Sequence, residues 1–430
     1  MRVLVVGAGA REHALAHRLA TSPSVSEVLA APGNPGIEEV AETVPVDVSD
    51  TGALVALAQA RDVDLTVIGP EGPLVAGVAD ALRDRGLAVF GPAAAAARLE
   101  GSKAFAKRLC ADHGIPAAWS EACTTTAVAF AALDRLPGPY VVKADGLAAG
   151  KGVTVTASLA EARDAVEACL VGRVFGDAGA TVVVEEYLAG PEVSALAFTD
   201  GRTVTPLALA QDFKRASDGD TGPNTGGMGA YSPLPSVDAA TRGAIDERIL
   251  RATVAALAAE GIPYRGVLYA GLVLTADGPR VLEFNCRFGD PETQVIAPRM
   301  ASDLGSALLG CANGSLADVR TAWRDEACVG VVLASRGYPG RYATGVPIEG
   351  LAEAAGFDGV HVFHAGTVRR EGRVVTSGGR VLTVSALGSD LEAARTRAYE
   401  ATRAIRFDGV TYRRDIATAA AGLPTGAGRA

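Results

Sequence analysis

The sequence has no long apolar run and no basic tract. No stretch of the 430 residues reaches the roughly 18 consecutive apolar residues of a membrane-spanning helix. The N-terminus holds one arginine and a short apolar run, then glycine and charged residues by position 12, a pattern unlike a secretory signal peptide. The formal net charge of −9 comes without clustered lysine or arginine. We therefore expect no membrane and no nucleic-acid partner, and we expect a cytoplasmic protein.

Cysteine pairs at the spacing of a zinc ribbon or a redox site are also missing. No C-x-x-C pair occurs among the six cysteines, which stand at 110, 123, 169, 286, 311 and 328. This pattern favours reduced thiols in a cytosolic protein. His361 and His364 have H-x-x-H spacing, but they fall in a strand pattern that would put them on opposite faces. No metal site is expected at that pair.

Glycine is abundant, with 51 residues, many in short clusters between apolar runs. Loops that approach a ligand with bare backbone need such clusters. Within the first 100 residues the clusters end apolar strand patterns that alternate with helical patterns: VLVVG, EVLAA, LTVIG and LAVFG. Continuous apolar strands alternating with helices predict an open parallel sheet covered on both faces.

The rest of the chain predicts a multidomain protein that combines α/β and α+β architecture. An alanine-rich helix is expected over 93–114. The segment 211–235 is rich in glycine and proline and lacks periodicity, which predicts a long functional loop. The predicted units are an α/β domain at 1–100, a connecting helix at 101–118, two α+β subdomains at 119–190 and 191–325, a small β-rich C-terminal domain at 326–422, and a disordered tail at 423–430.

The first glycine turn, GAGARE, resembles the start of a dinucleotide-binding fingerprint. That fingerprint requires G-x-G-x-x-G or G-x-G-x-x-A, but Glu12 stands at the third position. The second strand ends at Ala31 and Pro32, without the acid that would hold a ribose. A nicotinamide dinucleotide is therefore not expected, although the turn at Gly9 could border another ligand.

Two further turns end neighbouring strands at the same sheet edge. The first is PGNPG at 32–36, whose backbone N–H groups suit a phosphate. The second is Gly69-Pro70-Glu71, where the Glu71 carboxylate could take ribose hydroxyls. Three turns on one edge of an open sheet predict a site for a small sugar phosphate.

A second group of residues suits a nucleoside triphosphate. Lys143 lies near a strand end and is followed by the glycine-rich loop 145–152, which does not match a P-loop. Such a loop can fold over phosphates while Lys143, Lys103 and Lys151 supply positive charge. The strand end at Glu185–Leu188 could offer backbone groups to an adenine edge, with Glu192 positioned for ribose hydroxyls.

The stretch RVLEFNCRFGDPETQ at 280–294 carries the most specific pattern. Glu283 and Asn285 are two apart in a strand, so their side chains share one face. A carboxylate and an amide oxygen suit Mg²⁺ that is also bound by nucleotide phosphates. Phe284 would point to the core, and Arg287 follows where it could hold a carboxylate or a phosphoryl group. Cys286 shares the face of Phe284 and is interpreted as structural.

The segments KADGLAAGKGV, EEYLAGPEVS and EFNCRFGDPETQ together resemble the ATP-grasp enzymes. Further segments resemble the phosphoribosylamine–glycine ligases within that superfamily, over essentially residues 1–420: REHA, PGNPG, GPEGPLVAG, QDFKRASDGDTGPNTGGMGAYSP, FHAGT and SGGRVLTVSALG. The resemblance implies an ATP-grasp core, with a lid at 119–190 and a central subdomain at 191–325. It also implies a monomer or weak dimer that joins glycine to 5-phosphoribosylamine with ATP, through glycyl phosphate, in purine biosynthesis.

The resemblance also implies roles for individual residues. Arg287 and Lys143 are the catalytic candidates, and Glu283 and Asn285 are the candidate ligands of Mg²⁺ or Mn²⁺. The preceding strand, YAGLVLT, lacks the acid that many ATP-grasp relatives add to this pair. ATP contacts are expected from Lys103, Lys143, Gly146, Gly150, Lys151, Gly152, Glu185, Glu186, Leu188 and Glu192. Contacts with glycine or 5-phosphoribosylamine are expected from Gly9, Asn34, Gly36, Glu71, Asp212 and Arg287.

Three alternatives remain open from the sequence. A different ATP-grasp ligase would share the ATP loop and the metal pair but would act on another carboxylate and amine. A nicotinamide dehydrogenase is disfavoured by Glu12 and by the missing ribose acid. A non-catalytic nucleotide-binding protein would tolerate loss of Glu283 and Asn285, yet both residues are present.

Overall fold

The first 90 residues form one parallel five-stranded sheet in a computed structural model that describes residues 1–148 and 152–422. The strand order is β3-β2-β1-β4-β5, with β1 (Arg2–Gly7), β2 (Glu27–Pro32), β3 (Glu42–Thr43), β4 (Leu65–Ile68) and β5 (Val89–Phe90). Four helices connect these strands: α1 (Ala10–Ala20), α2 (Thr51–Ala60), α3 (Glu71–Val75) and α4 (Val78–Arg83). The apolar runs thus build the predicted open parallel sheet, because strands buried on both faces need helices on each side.

The next segment contains two helices where the sequence predicts one. These are α5 (Ala94–Gly101) and α6 (Lys103–Asp112). Ser102 between them is extended, with φ −144° and ψ 111°, and its side chain accepts a hydrogen bond from Phe105 N. The single-helix prediction is wrong at this residue because a serine cap gives α6 an N-terminus of its own.

A four-stranded antiparallel sheet with two helices follows. Its order is β6-β9-β7-β8. The elements are β6 (Ser120–Cys123), α7 (Thr126–Leu133), β7 (Tyr140–Ala144), β8 (Val153–Thr156), α8 (Leu159–Leu170) and β9 (Val182–Glu186). Val142, Val166 and Val184 belong to a small separate core in this unit. Lys143 lies near the end of β7, as the sequence predicts.

Residues 192–285 contribute eight strands and two helices within the described ranges. The strands are β10 (Glu192–Asp200), β11 (Val204–Pro206), β12 (Gln211–Asp212), β13 (Arg215–Ser217), β14 (Thr221–Asn224), β15 (Gly229–Ser232), β16 (Arg265–Thr275) and β17 (Gly278–Asn285). The helices are α9 (Ala239–Ile245) and α10 (Ala252–Ala259), joined by a π-helical turn at 246–251. Four of the strands form an antiparallel sheet in the order β11-β10-β16-β17.

The segment 211–235 is not the continuous loop that its composition predicts. It holds β12 to β15, of which β13 and β14 form an exposed hairpin, whereas β15 is buried along its length. These strands are two to four residues long, and none of them alternates between buried and exposed positions. The periodicity test therefore missed them.

Four of the remaining strands join β12 and β15 in a six-stranded sheet, and two others, Thr367–Arg370 and Arg373–Thr376, form a separate two-stranded sheet. The order of the six-stranded sheet is β12-β15-β18-β22-β19, and β23 pairs with β18. The elements are α11 (Thr293–Ile296), α12 (Leu304–Asn313), β18 (Ala327–Ser335), α13 (Leu351–Ala355), β19 (Val360–His364), β20 (Thr367–Arg370), β21 (Arg373–Thr376), β22 (Arg380–Gly388), α14 (Leu391–Ala404) and β23 (Val410–Thr411). Across the described ranges, no helix is both long enough and apolar enough to cross a membrane.

Candidate active site

The crevice at the carboxyl ends of β1 and β4 lies where the strand order reverses, the usual ligand position in an open parallel sheet. The Glu12 side chain is buried there. Its Oε2 accepts a hydrogen bond from Gly9 N at 2.7 Å, and its Oε1 accepts one from Arg11 Nε at 2.6 Å. A Cβ added to Gly69 would lie 2.1 Å from Glu12 Oε1. A carboxylate thus occupies the place of a pyrophosphate, which explains why the turn lacks a dinucleotide fingerprint.

The PGNPG turn lies beside this crevice and is held by Asn34. The buried Asn34 amide accepts hydrogen bonds from Gly36 N and Ile37 N, and it donates to Ala8 O and His364 O, both at 2.8 Å. Asn34 therefore ties the two glycine turns to the strand β19. A Cβ on Gly36 would lie 2.3 Å from His13 Cε1, so only glycine fits at that position.

Arg287 links the end of β17 to the N-terminal sheet. Its Nε lies 3.2 Å from Glu71 Oε2, and its Nη2 lies 3.0 Å from Glu100 Oε1. Burial acts to lower the pKa of Arg287, but Glu100 and Glu71 outweigh burial and raise it. The guanidinium is therefore a fixed cation. Its five N–H donors exceed the contacts made by Glu71, Glu100 and Phe288, so donors remain for a ligand oxygen.

Two lysines contact one buried carboxylate, and a third lysine lies nearby. Lys107 Nζ and Lys143 Nζ each lie 3.0 Å from Glu185 Oε2, and Lys143 also donates to Leu282 O at 3.1 Å. Lys103 Nζ donates to Gly146 O at 3.1 Å. Burial lowers the pKa of both Lys103 and Lys107. The cluster carries more ammonium than carboxylate groups, so it favours an anionic ligand.

The glycine-rich loop is rooted on helix α6 through Asp145. The Asp145 carboxylate accepts hydrogen bonds from Ala104 N at 2.7 Å and from Ser102 Oγ at 3.0 Å. A Cβ on Gly146 would lie 2.8 Å from the Ala178 Cβ, and one on Gly152 would lie 2.7 Å from the Ala148 Cβ. The loop thus starts and ends at glycines that close packing demands. The predicted ATP contacts Gly150 and Lys151 lie outside the described residues.

The end of β9 offers one unsatisfied acceptor. Glu185 is 1% exposed, and its Oε1 has no hydrogen-bond partner among the described residues. Glu186 instead accepts from Trp119 N at 2.8 Å and pairs with Arg280 at 2.9 Å. Leu188 is buried beside them. A buried carboxylate oxygen without a donor costs free energy, which a ligand N–H would recover.

A second group of charged side chains, most of them carboxylates, surrounds Lys214. Lys214 Nζ lies 2.6 Å from Glu192 Oε2 and 3.9 Å from Glu283 Oε1. Burial raises the pKa of Asp212 to about 7, with Glu292 and Glu192 adding to the effect and Lys214 opposing it. For Glu283, burial acts upward but Lys214, Lys143 and Lys103 outweigh it, so its pKa is lowered. Glu283 is therefore an anion between the two groups of charges.

Glu283 and Asn285 share one face of β17, as predicted. Phe284 and Cys286 are buried at 3% and 1% exposure, whereas Glu283 and Asn285 are half-buried. The residue of β16 opposite Glu283 is Gly271. A Cβ there would lie 3.2 Å from Glu283 Cγ, so this neighbour supplies no further acid.

Family models match the chain in three consecutive parts. Phosphoribosylglycinamide synthetase N domain covers residues 1–100, its ATP-grasp (A) domain covers 101–293, and its C domain covers 328–419. The chain belongs to the phosphoribosylglycinamide synthetase family. It is thus an ATP-grasp ligase of the kind that joins glycine to 5-phosphoribosylamine in purine biosynthesis.

Individual relatives agree with this family over the full length. The chain is 54% identical to a phosphoribosylamine–glycine ligase of Streptomyces coelicolor, over 98% of this chain and 100% of the relative. It is 50% identical to one of Vibrio parahaemolyticus, over 97% of each. The crystal structure of such a ligase from Thermotoga maritima superposes with a TM-score of 0.83 at 36% identity, covering 97% of this chain and 100% of that one.

A more distant structure shares the fold alone. The biotin carboxylase domain of the Hydrogenobacter thermophilus 2-oxoglutarate carboxylase, in complex with ADP and magnesium, matches with a TM-score of 0.72 at 18% identity. The match covers 95% of this chain and 91% of that chain. The two proteins thus share a fold although their sequences differ at most positions.

The sequence analysis missed four residues that lie at the site: Lys107, Lys214, Glu100 and Arg11. Lys107 follows Lys103 by four positions on one helix, so the shared face was a usable pattern. Lys214 follows Asp212 by two positions in an extended segment, which also places the two on one face. Glu100 and Arg11 left no local pattern, because their partners Arg287 and Phe288 lie far away in the sequence.

Proposed function

We propose that glycine is activated with ATP, and then coupled to 5-phosphoribosylamine, in the cleft between β17 and the lysine group formed by Lys103, Lys107 and Lys143. The glycine carboxylate oxygen attacks the γ-phosphorus of ATP, the bond to ADP breaks, and glycyl phosphate forms. The amine of 5-phosphoribosylamine then attacks the glycyl carbonyl carbon, phosphate leaves, and the nitrogen loses a proton. The products are N1-(5-phosphoribosyl)glycinamide, ADP and phosphate.

One observation carries this proposal: Glu283 lies between a cationic group and an acidic group. Lys143 and Lys103 act on its pKa from one side, and Lys214, the partner of Glu192, acts from the other. Phosphoryl transfer depends on positioning and charge neutralisation more than on covalent chemistry by the protein. A triphosphate on the cationic side and an ammonium on the acidic side would meet at β17.

We assign the triphosphate to Lys103 and Lys143, with the loop that includes Gly146, Gly150, Lys151 and Gly152 closing over it. The unpartnered Glu185 oxygen would accept from the adenine amino group, which is a donor. Glu186 and Leu188 complete the adenine wall, and Glu192 is the ribose candidate. Because Glu192 already pairs with Lys214, its contact with the ribose would be shared with that lysine.

Glu283 and Asn285 fit a divalent ion, Mg²⁺ or Mn²⁺. Their oxygens are hard donors on one strand face, and the residue opposite Glu283 is a glycine rather than an acid. Mg²⁺ usually takes only one or two protein ligands and keeps its remaining positions for water and phosphate. The ion would neutralise charge on the transferring phosphoryl group. Arg287, fixed by Glu71 and Glu100, would steady the acyl phosphate from the opposite side.

The amino substrates are assigned to the two remaining walls. Asp212 would accept the glycine ammonium, since it is a half-buried acid close to Lys214, Glu292 and Glu192. Gly9, Asn34, Gly36 and Glu71 would line the 5-phosphoribosylamine pocket at the sheet edge, with the geometry of the turn set by Asn34. The free state of all six cysteines, each buried, is compatible with a cytoplasmic location.

Substrate omission tests the reaction directly. ADP release is measured with ATP and Mg²⁺ while glycine or 5-phosphoribosylamine is left out in turn. We expect full turnover only when both are present. Release that needs another amino acid in place of glycine would overturn the assignment. Sedimentation of the same preparation tests the expected monomer or weak dimer.

A further inference from the structure

The segment Asp212–Lys214 is anchored by the ring of Phe213, which packs on the side of the segment away from the cleft. Lys214 points to Glu192 and Glu283 in the cleft, and burial together with the same two acids raises the pKa of Asp212. Phe213 lies between these two residues, so extended backbone turns its ring the other way. The ring packs against Tyr231, with centroids 6.2 Å apart, and under the Arg413 guanidinium, whose Cζ lies 4.9 Å from the ring centroid.

Arg413 is a buried arginine with several contacts to one hairpin. Its side chain is 1% exposed. Nε and Nη2 form a bidentate pair with Asp415 at 2.8 and 2.7 Å. Nη1 donates to Arg215 O at 3.1 Å and to Asp220 Oδ1 at 3.0 Å. The guanidinium therefore contacts three places: Arg215 at the start of β13, Asp220 in the turn before β14, and the ring of Phe213 that precedes the hairpin.

Main-chain hydrogen bonds extend this attachment. Arg414 N donates to Asp218 Oδ1 at 2.7 Å, and Gly219 N donates to Asp415 Oδ2 at 2.9 Å. The residues involved follow β23, which is itself paired with β18 in the C-terminal sheet. An exposed two-stranded hairpin is marginally stable by itself. The segment 413–415 thus supplies the fixed support that the hairpin lacks.

We propose that Arg413 is a positioning residue for glycine binding. It sets the orientation of Asp212 and Lys214 by packing on Phe213 and by holding the hairpin that follows. The inference rests on the proposed role of Asp212 as acceptor of the glycine ammonium. It assigns to the C-terminal sheet a part in selecting the small substrate, although no residue of 413–415 needs to touch that substrate.

Arg413→Lys tests the proposal, because lysine keeps the charge but loses the planar fork. Misplacement of a positioning group by about 1 Å can cost about 10²-fold, so we expect the KM for glycine to rise by about ten-fold or more. The KM for ATP should rise by a smaller factor, because the displaced segment reaches the ATP candidates through one contact, the Lys214–Glu192 pair. Phe213→Leu should raise the same constant, and the double variant should be less than additive because the two residues act through one contact.

Several controls make the outcome decisive. Arg18→Lys removes an arginine fork whose hydrogen bonds go to Met300, Ser302 and Thr21, and it should leave all KM values unchanged. If Arg413→Lys does not fold, Asp220→Asn removes only one contact, from a side chain that is 71% exposed. It should still raise the KM for glycine selectively.

Two results would overturn the proposal. One is an equal rise of KM for glycine, ATP and 5-phosphoribosylamine, and the other is a lower Tm with an unchanged KM for glycine. Asp212→Asn separates this inference from the assignment beneath it. If Asp212→Asn raises the KM for glycine and Arg413→Lys does not, only the positioning role fails. If Asp212→Asn leaves that constant unchanged, the Asp212 assignment fails.

Discussion

The two sides of the cleft carry opposite imbalances of charge. On one side, Lys107 and Lys143 pair with the buried carboxylate of Glu185, and Lys103 lies nearby beside Asp145. On the other side, Lys214 pairs with Glu192 and is also close to Asp212, while Glu283 lies between the two sides.

On each side, burial disfavours the charged form of some side chains, and a bound substrate of opposite charge would stabilise that form. Burial lowers the pKa of Lys103 and Lys107 and raises that of Asp212, so these three groups are pushed toward their neutral forms. A polyanion would stabilise the lysines as ammonium ions, and an ammonium would stabilise the acids as carboxylates. Under the proposed function, charge sign would sort ATP from glycine before any detailed fit.

The largest expected effect is at Glu283, where the two sides meet. Glu283→Gln keeps the size of the side chain but removes the anion of the candidate metal pair. We expect turnover to fall by about 10²–10³-fold, as for loss of a group that stabilises the transition state. The control Asp277→Asn changes an exposed acid in the β16–β17 turn and should be silent. Unchanged turnover in Glu283→Gln would mean that the metal is bound elsewhere.

Lys143→Met should weaken the binding of ATP without weakening the binding of glycine. The change removes one of two cations from buried Glu185 and one cation from the proposed phosphate site. We expect the KM for ATP to rise by about ten- to a hundred-fold, the range for loss of a charge-assisted contact of about 1.5–3 kcal/mol. The KM for glycine should change by less than about two-fold. Equal rises in both constants would refute the division of charge.

Asp212→Asn is the reciprocal variant. It should raise the KM for glycine by about ten-fold and leave the KM for ATP nearly unchanged, because a neutral amide cannot pair with an ammonium as a carboxylate does. Measuring both constants in Lys143→Met and Asp212→Asn gives a crossed pattern. If both variants affect the same substrate, the two clusters form one site rather than two.

The smallest effect on activity is expected at a third cluster, which consists of four neutral histidines: His13, His17, His361 and His364. Burial lowers the pKa of His361 and His364 to about 4, and it also lowers the pKa of His13 and His17. The charged groups that act on these rings are other histidines and three arginines: Arg18, Arg324 and Arg369. The cluster joins α1 to β19, with the His17 and His361 ring centroids 4.8 Å apart.

Acid should weaken this junction. The unfolded chain takes up protons below about pH 6.5, whereas the folded rings resist protonation until about pH 4. Stability is therefore complete above pH 6.5 and falls as the pH drops toward 4, by roughly 3 kcal/mol for one such histidine. Urea unfolding of His361→Gln should depend less on pH between 7 and 5 than the parent. His113→Gln, at the separate pair with Glu260, should behave as the parent does.

Local patterns in the sequence predicted those parts of the site that lie on one element. The alternation of Glu283, Phe284 and Asn285 fixed both the core face and the cleft face of β17, because strand geometry has a period of two. Apolar runs likewise predicted the parallel sheet. The substrate roles of these residues remain predictions that the variants above test.

Contacts between distant segments were beyond the sequence. Glu100 approaches Arg287 only because α5 packs beside β17, and Asn34 reaches His364 only because the C-terminal sheet closes on the first one. Ser102 breaks a helix at a point where alanine-rich composition hid the capping signal. The hairpin β13–β14 has no buried face of its own, so no hydrophobic pattern could mark it.

Glu12 makes the first crevice of the parallel sheet permanently occupied. A bound anion leaves at a rate set by its affinity, but a side chain on the adjoining helix has a very high effective concentration at the Gly9 N–H. The backbone N–H that a nucleotide phosphate would need in this crevice is therefore already bound by the protein's own carboxylate.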